Sequence, residues 1–199
     1  MHRLMVTSRT YRMASTPSEA NTRLDPDNVY LWRMNSRRME AELVRDNLLH
    51  VSGDLDPAMG GPDIDHQQGL VSRRRSIYLR SAAEKEVEFL KIFDGPSVTE
   101  CYLRRPTVVP QQALALANSE LTQVQARRLA KTISAETGEH DELFIASAFQ
   151  RILSRSATAK ETETCRNFLA TQARPSSSER LRENLVLVLY NHNDFVTIR

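Results

Sequence analysis

The feature that most limits what this chain can fold into lies near its end, where Leu185-Val186-Leu187-Val188-Leu189-Tyr190 is apolar on every side of a helix. Such a segment needs cover all round, so it predicts a buried central rod with other helices packed about it. The sequence ahead of it supplies those helices. Apolar spacing predicts one over Pro110–Ala117 and one over Ser119–Ser134, divided near Asn118. A third, Asp141–Ser154, carries Ile145, Ala148, Phe149, Ile152 and Leu153 on one face. Thr158 with Glu161 has the capping-box spacing that starts a fourth over Ala159–Gln172.

A further helix is predicted over Val29–Val51, stopped by Gly53 and Pro57. At 100° per residue, Met34, Ala41, Val44, Leu48 and Val51 share one arc, with Leu49 at its other margin. Arg38 and Arg45 fall inside that arc, and Glu42 sits beside them. A guanidinium on an apolar face needs a carboxylate, and Glu42 and Asp46 are within helical reach. Two readings follow from the same residues: a structural ion-pair network, or an anion site.

The run from Arg73 to Asn118 holds the densest arginines. Ser76-Ile77-Tyr78-Leu79 alternates and favours a strand, with Arg74 and Arg75 just before it pointing to opposite sides. Glu86–Phe93 is a short apolar segment closed by Asp94-Gly95-Pro96. Arg104 and Arg105 then precede Thr107, a candidate helix N-cap, and Pro110 in the first turn. This pattern predicts that some of Arg74, Arg75, Arg104 and Arg105 converge with Asp94 or Glu42 in one partly enclosed cluster. The cluster is either neutralised internally or left with an excess of positive charge for an anion. The fold class is therefore mainly α, with one small β element or hairpin near residues 76–93.

Length and 40% hydrophobic residues suffice for one core in a chain of 199 residues. Residues 1–28 are polar, punctuated by Pro17 and Pro26, and read as an extended N-terminal arm; 29–199 read as a single domain, a piece of a longer parent chain. Net charge is only +2, with 27 basic residues against 25 acidic ones, and acids interleave with the arginines throughout, which argues against nucleic acid as a partner. Only four of the 27 bases are lysines, leaving 23 arginines. That bias suits bidentate carboxylate pairing, although a GC-rich genome produces it too. No apolar run is long enough to span a bilayer, and Met1–Pro17 has no signal-peptide core. Cys101 and Cys165 are far apart, no Cys-x-x-Cys-His string attaches haem here, and the five histidines share no helical face. The acidic residues Asp54, Asp56, Asp63 and Asp65 do not follow a calcium-loop pattern. No metal is expected.

Several short strings in fixed order carry a resemblance. They begin with Ser8-Arg9-Thr10-Tyr11, Asp25-Pro26-Asp27-Asn28 leading to Leu31-Trp32-Arg33, Arg37-Arg38-Met39-Glu40-Ala41-Glu42 and Arg45-Asp46. Ser52-Gly53, Leu55-Asp56, Met59-Gly60-Gly61-Pro62, Arg74-Arg75-Ser76-Ile77-Tyr78 and Phe93-Asp94 follow. Cys101, Arg105, Thr107, Pro110-Gln111-Gln112-Ala113-Leu114 and the closing Leu189-Tyr190-Asn191-His192-Asn193-Asp194-Phe195 complete the set. Together they resemble planctomycete-specific domain one, a domain of unknown function at the C-terminus of large exported planctomycete proteins. The resemblance implies an extracytoplasmic or periplasmic setting and, as partners, the other domains of a larger exported polypeptide. It also implies that haem sits on a separate cytochrome-c-like domain, so no cofactor is expected in this chain. It supplies no catalytic residues, and the loop from Gly61 to Arg73 is shorter here than in many members.

Two functional classes stand at this point. One is a noncatalytic binding or scaffold module. The other is an enzyme or binder acting on acidic or sulfated polysaccharide, with carboxylates such as Asp94 or Glu42 as acid and base across a cleft.

Overall fold

The structure, a computed structural model, describes residues 1–82, 85–98, 107–171 and 175–198, without the side chains of 175–177. It is mainly α. The chain divides into two compact units, one of residues 1–39 with 196–199 and one of residues 40–195.

The first unit holds two short helices, α1 (His2–Val6) and α2 (Glu19–Leu24), neither with a buried residue. Its strands β1 (Arg37–Arg38) and β2 (Thr197–Ile198) pair antiparallel, Arg37 opposite Ile198 and Arg38 opposite Thr197. Residues 1–28 are thus not one extended arm, since the chain coils twice and closes on its own turn at Asp25–Asn28. The helix expected from Val29 also fails to start there. Asp25 and Asn28 side chains accept the backbone N–H groups of Val29, Tyr30 and Arg33, and Asn28 and Leu31 lie at positive φ. Local side-chain bonds outcompete helical ones at this position.

The second unit opens with α3 (Ala41–Val51), preceded by Glu40 in extended conformation. Ala41, Val44, Leu48 and Leu49 are buried on its inner face, as their spacing predicts. A long bracket follows. Asp56 pairs with Arg74 and Ile64 with Leu79 in isolated parallel bridges, and Ala82 meets Lys85 in an antiparallel one. Ser76–Tyr78, expected as a strand, is a single 3₁₀ turn. Its backbone N–H at Ser76 is taken by the Asp46 carboxylate, which removes the ladder partner a strand would need. The short helix α4 (Glu88–Ile92) packs on α3 and buries Phe89, with Phe93 stacked 4.9 Å from it.

The remaining helices are α5 (Pro110–Asn118), α6 (Glu120–Thr137), α7 (Asp141–Leu153), α8 (Ala159–Ala170) and α9 (Pro175–Tyr190). Ser119 caps α6 and Thr158 with Glu161 closes the capping box of α8. Thr107 is not the cap of α5; that position falls to Val109, and Pro110 takes the first turn. α9 packs against α5, α6, α7 and α8. Leu185, Val186, Leu189 and Tyr190 are buried, but Val188 is 63% exposed, so the rod is covered on three sides and open on one. No described helix is long and apolar enough to cross a membrane.

Candidate functional site

Among the described arginines singled out from the sequence, Arg45 is the one the fold encloses, at 0% exposure. It stands on the inner face of α3, and its guanidinium is aimed at the bracket. Nε donates to the Gly69 carbonyl at 2.7 Å, one terminal nitrogen to the Ser72 carbonyl at 2.5 Å, and the other to the Arg74 carbonyl at 2.9 Å and the Ser76 hydroxyl at 3.2 Å. Burial pushes its pKa down, while the adjacent Asp46 carboxylate, 3.4 Å away, opposes that shift. Asp46 completes the clamp by accepting from the Ser76 N–H at 2.8 Å and the Ser76 hydroxyl at 2.6 Å. A planar fork with five donors suits four acceptors spread over eight residues, which an ammonium could not reach together.

Arg74 and Arg75 diverge as their alternation predicts. Arg74 reaches outward over the bracket: it donates to the carbonyls of Ala58 at 2.9 Å and Gly60 at 2.6 Å and lies over the Tyr78 ring at 4.0 Å. The Tyr78 hydroxyl in turn accepts from the Gly60 N–H at 2.9 Å. Gly61, at φ +93, leaves only 3.1 Å between a would-be Cβ and the Arg74 guanidinium. Arg75 turns the other way, toward Asp46, at 3.9 Å.

On Arg75's side lies a cleft of about 450 Å³. Its apolar wall includes Leu43, Ile77, Leu79, Val87 and Leu90; its charged groups are Glu40, Glu42, Asp46 and Glu86 with Arg75, Arg80 and Lys91. Arg80 is already paired to Asp63 and lies 3.7 Å from Asp65, and Lys91 stands 3.6 Å from Glu86. Both signs therefore line this cleft, and its described wall carries no aromatic ring.

Of the other expected members, Glu42 shares this cleft with Arg75, and Asp94 is not among its lining residues. Arg38 is half-buried on β1, in the unit formed by 1–39 and 196–199, because α3 begins only at Ala41. Asp94, at φ +60, accepts from the Thr107 N–H and hydroxyl at 2.7 and 2.8 Å and from the Gln112 amide at 3.3 Å, holding the approach to α5. Arg104 and Arg105, with Cys101, lie outside the described residues. Cys165 is a buried free thiol on α8 whose pKa burial pushes up.

Three polar nodes escaped the sequence reading. Asp54, nearly enclosed, is held by Arg128 at 2.9 Å, Arg73 at 3.5 Å and the Gln125 amide at 3.2 Å, which ties the end of α3 to α6. Arg182 of α9 reaches the Gly138 carbonyl at 2.7 Å and Asp141 at 2.8 Å. Arg155 grips both oxygens of Glu161 at 3.0 and 2.7 Å and Asp194 at 2.8 Å. Glu161 is drawn down to about 2, first by Arg155 and then by the Thr158 N–H and hydroxyl. The Thr158–Glu161 spacing pointed to one half of that last node; nothing local in the sequence names Arg155 or Asp194 as the other.

Among the described residues, no group of three or more His, Cys, Asp or Glu is placed to hold a metal ion. Haem likewise finds no attachment string in the sequence. No curated protein and no solved structure matches the chain. Residues 1–169 match the family described as "PSD1: Protein of unknown function (DUF1553)", a span that includes the Arg45–Asp46 clamp, the bracket it closes and the cleft beside it, and on that match the chain belongs to this family.

Proposed function

We propose that this chain is a noncatalytic scaffold module of a larger exported, cytochrome-c-linked polypeptide, working outside the cytoplasm with haem carried on a separate domain. The observation that supports it most is the destination of the Arg45 donors. Three backbone carbonyls and a hydroxyl take them, and Asp46 neutralises the charge, so this guanidinium fixes a fold and faces no ligand. Arg74 is likewise committed to backbone carbonyls and a ring face. The export and cytochrome context is supported by the motif resemblance alone.

The test is a melting-temperature titration of the whole chain with sulfated and uronic-acid oligosaccharides, beside Arg75→Ala and Arg105→Ala variants. A scaffold module shows no shift with any of them. A rise in the parent protein that either variant abolishes would overturn the reading in favour of an acidic-polysaccharide binder. The cleft argues against that alternative: carbohydrate sites commonly use aromatic faces, and both charge signs line this one.

A further inference from the structure

Past its 3₁₀ turn the bracket runs on through Leu79, Arg80, Ser81 and Ala82, and its ladder bonds lie on one side only. Leu79 is extended, at φ −76 and ψ 134. The Tyr78 carbonyl accepts from the Ile64 N–H at 2.8 Å, and the Arg80 N–H donates to the Ile64 carbonyl at 2.8 Å. Ala82 exchanges both bonds with Lys85, at 3.3 and 2.8 Å. Successive residues of an extended chain turn their peptide groups to opposite sides, so Leu79 and Ser81 present theirs away from Ile64. The Leu79 N–H closes the turn on the Ser76 carbonyl at 3.0 Å. Among the described residues, nothing bonds the Leu79 carbonyl or the N–H and carbonyl of Ser81.

This free edge opens into the cleft beside α3. Leu79, Arg80 and Ser81 all border the cleft, and Ile64 does not. Leu43, Ile77, Val87 and Leu90 give it an apolar lining, with Leu43 and Ile77 at 42% and 71% exposure. The charges around it are answered within the chain: Arg75 by Asp46, Arg80 by Asp63 and Lys91 by Glu86, and Glu40 and Glu42 are engaged too. An edge of unpaired peptide groups is matched by another backbone, and an aliphatic, self-neutralised lining by uncharged side chains.

The cleft, about 450 Å³, admits a single strand and not the edge of a folded sheet. The described extended stretches of this chain already have partners, 37–38 with 197–198, 56 with 74, 64 with 79 and 82 with 85. A second copy brings the same stretches, paired in the same way. We propose that the cleft receives an extended, uncharged aliphatic segment of a different protein, which pairs with Leu79 and Ser81 as an added strand and lays a side chain against Leu43, Val87 and Leu90. This does not rest on the scaffold reading, which turns on the donors of Arg45.

The probe is the acetylated and amidated peptide Ser-Thr-Val-Ile-Val-Thr-Ser, titrated into the whole isotope-labelled chain and followed by NMR and amide exchange. The Ser81 amide is expected to exchange freely in the chain alone and to slow about tenfold once peptide stands at about ten times its Kd. Affinity falls about tenfold or more when the two central peptide amides are N-methylated, which keeps the side chains and removes the backbone donors. Affinity also falls for Leu43→Asp, whose melting temperature stays close to the parent value because the side chain is partly exposed. Raising the salt leaves binding unchanged. The proposal is overturned if the Ser81 amide keeps its free exchange rate at millimolar peptide, if the N-methylated peptide or Leu43→Asp binds as tightly as the parent pair, or if salt abolishes binding.

Discussion

Residues 40–98 and residues 107–195 belong to one compact unit, yet they are held together by different physics. The second stretch is a set of helices whose Leu129, Ile133, Phe144, Ile145, Phe149, Val186 and Tyr190 meet in a common apolar interior. The first has one helix of any length, and the bracket beyond it is fastened by side chains reaching backbone carbonyls. The contrast also shows in the arginines. Arg45 is wholly buried and answered mainly by peptide groups, whereas Arg155 is partly open to water and answered by the carboxylates of Glu161 and Asp194. A buried cation satisfied by fixed dipoles holds one geometry, because its acceptors cannot be replaced by water without opening the fold.

The largest expected effect therefore comes from Arg45→Met. The side chain keeps its apolar stem and loses its fork, leaving the carbonyls of Gly69, Ser72 and Arg74 unanswered. A loss of about 3–5 kcal/mol is expected, on the order of 10 °C in melting temperature. Calorimetry checks it, and a loss below about 1 kcal/mol would erase the distinction drawn between the two stretches. Leu129→Ala comes next, at about 2–5 kcal/mol, through lost burial and a cavity in the helical part. Amide hydrogen exchange sharpens the comparison: the Arg45 variant should first lose protection in residues 56–79, the Leu129 variant in α6 and α9.

The Arg155 node gives a pH prediction. Glu161 lies well below its ordinary value of 4.5, at about 2 in the folded chain. Its contribution is thus fully present above about pH 4.5 and is lost as pH falls toward 2. Acid denaturation followed by circular dichroism should show a steeper fall over that window for the parent protein than for Glu161→Gln, which starts less stable because the capping box and the Arg155 bond are weakened. The opposite order would mean that Arg155 depends on Asp194 alone. The smallest effect belongs to Arg75→Ala. Its ion pair is long, at 3.9 Å, and the side chain is half exposed, so about 0.5 kcal/mol or less is expected by chemical denaturation.

The same divide separates what could be read from the sequence from what could not. Helical periodicity marked α6, α7 and α8 nearly to their ends and only the last six residues of α9, and the Thr158–Glu161 spacing located the start of α8, because these signals are local and repeat every turn. Arg45 was legible as a buried arginine by its phase on α3. Its partners were not, since Gly69, Ser72 and Arg74 offer only carbonyls, and every residue has one. The strand expected at Ser76 failed for a related reason: alternation predicts which side a residue faces, but Asp46, thirty residues earlier, takes the N–H that pairing requires. The helix expected from Val29 failed through Asp25 and Asn28, whose side chains take the backbone N–H groups of Val29, Tyr30 and Arg33 that a helix would have turned to its own carbonyls. Val188 shows the converse, an all-apolar run that leaves one face open.

The two parallel bridges of the bracket, Asp56 with Arg74 and Ile64 with Leu79, also bear on how such a chain can change over time. They close the segment at its base, so the residues between Pro57 and Asp63 leave and re-enter the fold through fixed points. Lengthening the chain there adds only loop-closure entropy, about 0.6 kcal/mol for each doubling, provided Gly60 keeps its place under Arg74 and Tyr78. New sequence can therefore be acquired at the tip, while Arg45 goes on holding the other strand of the bracket in register.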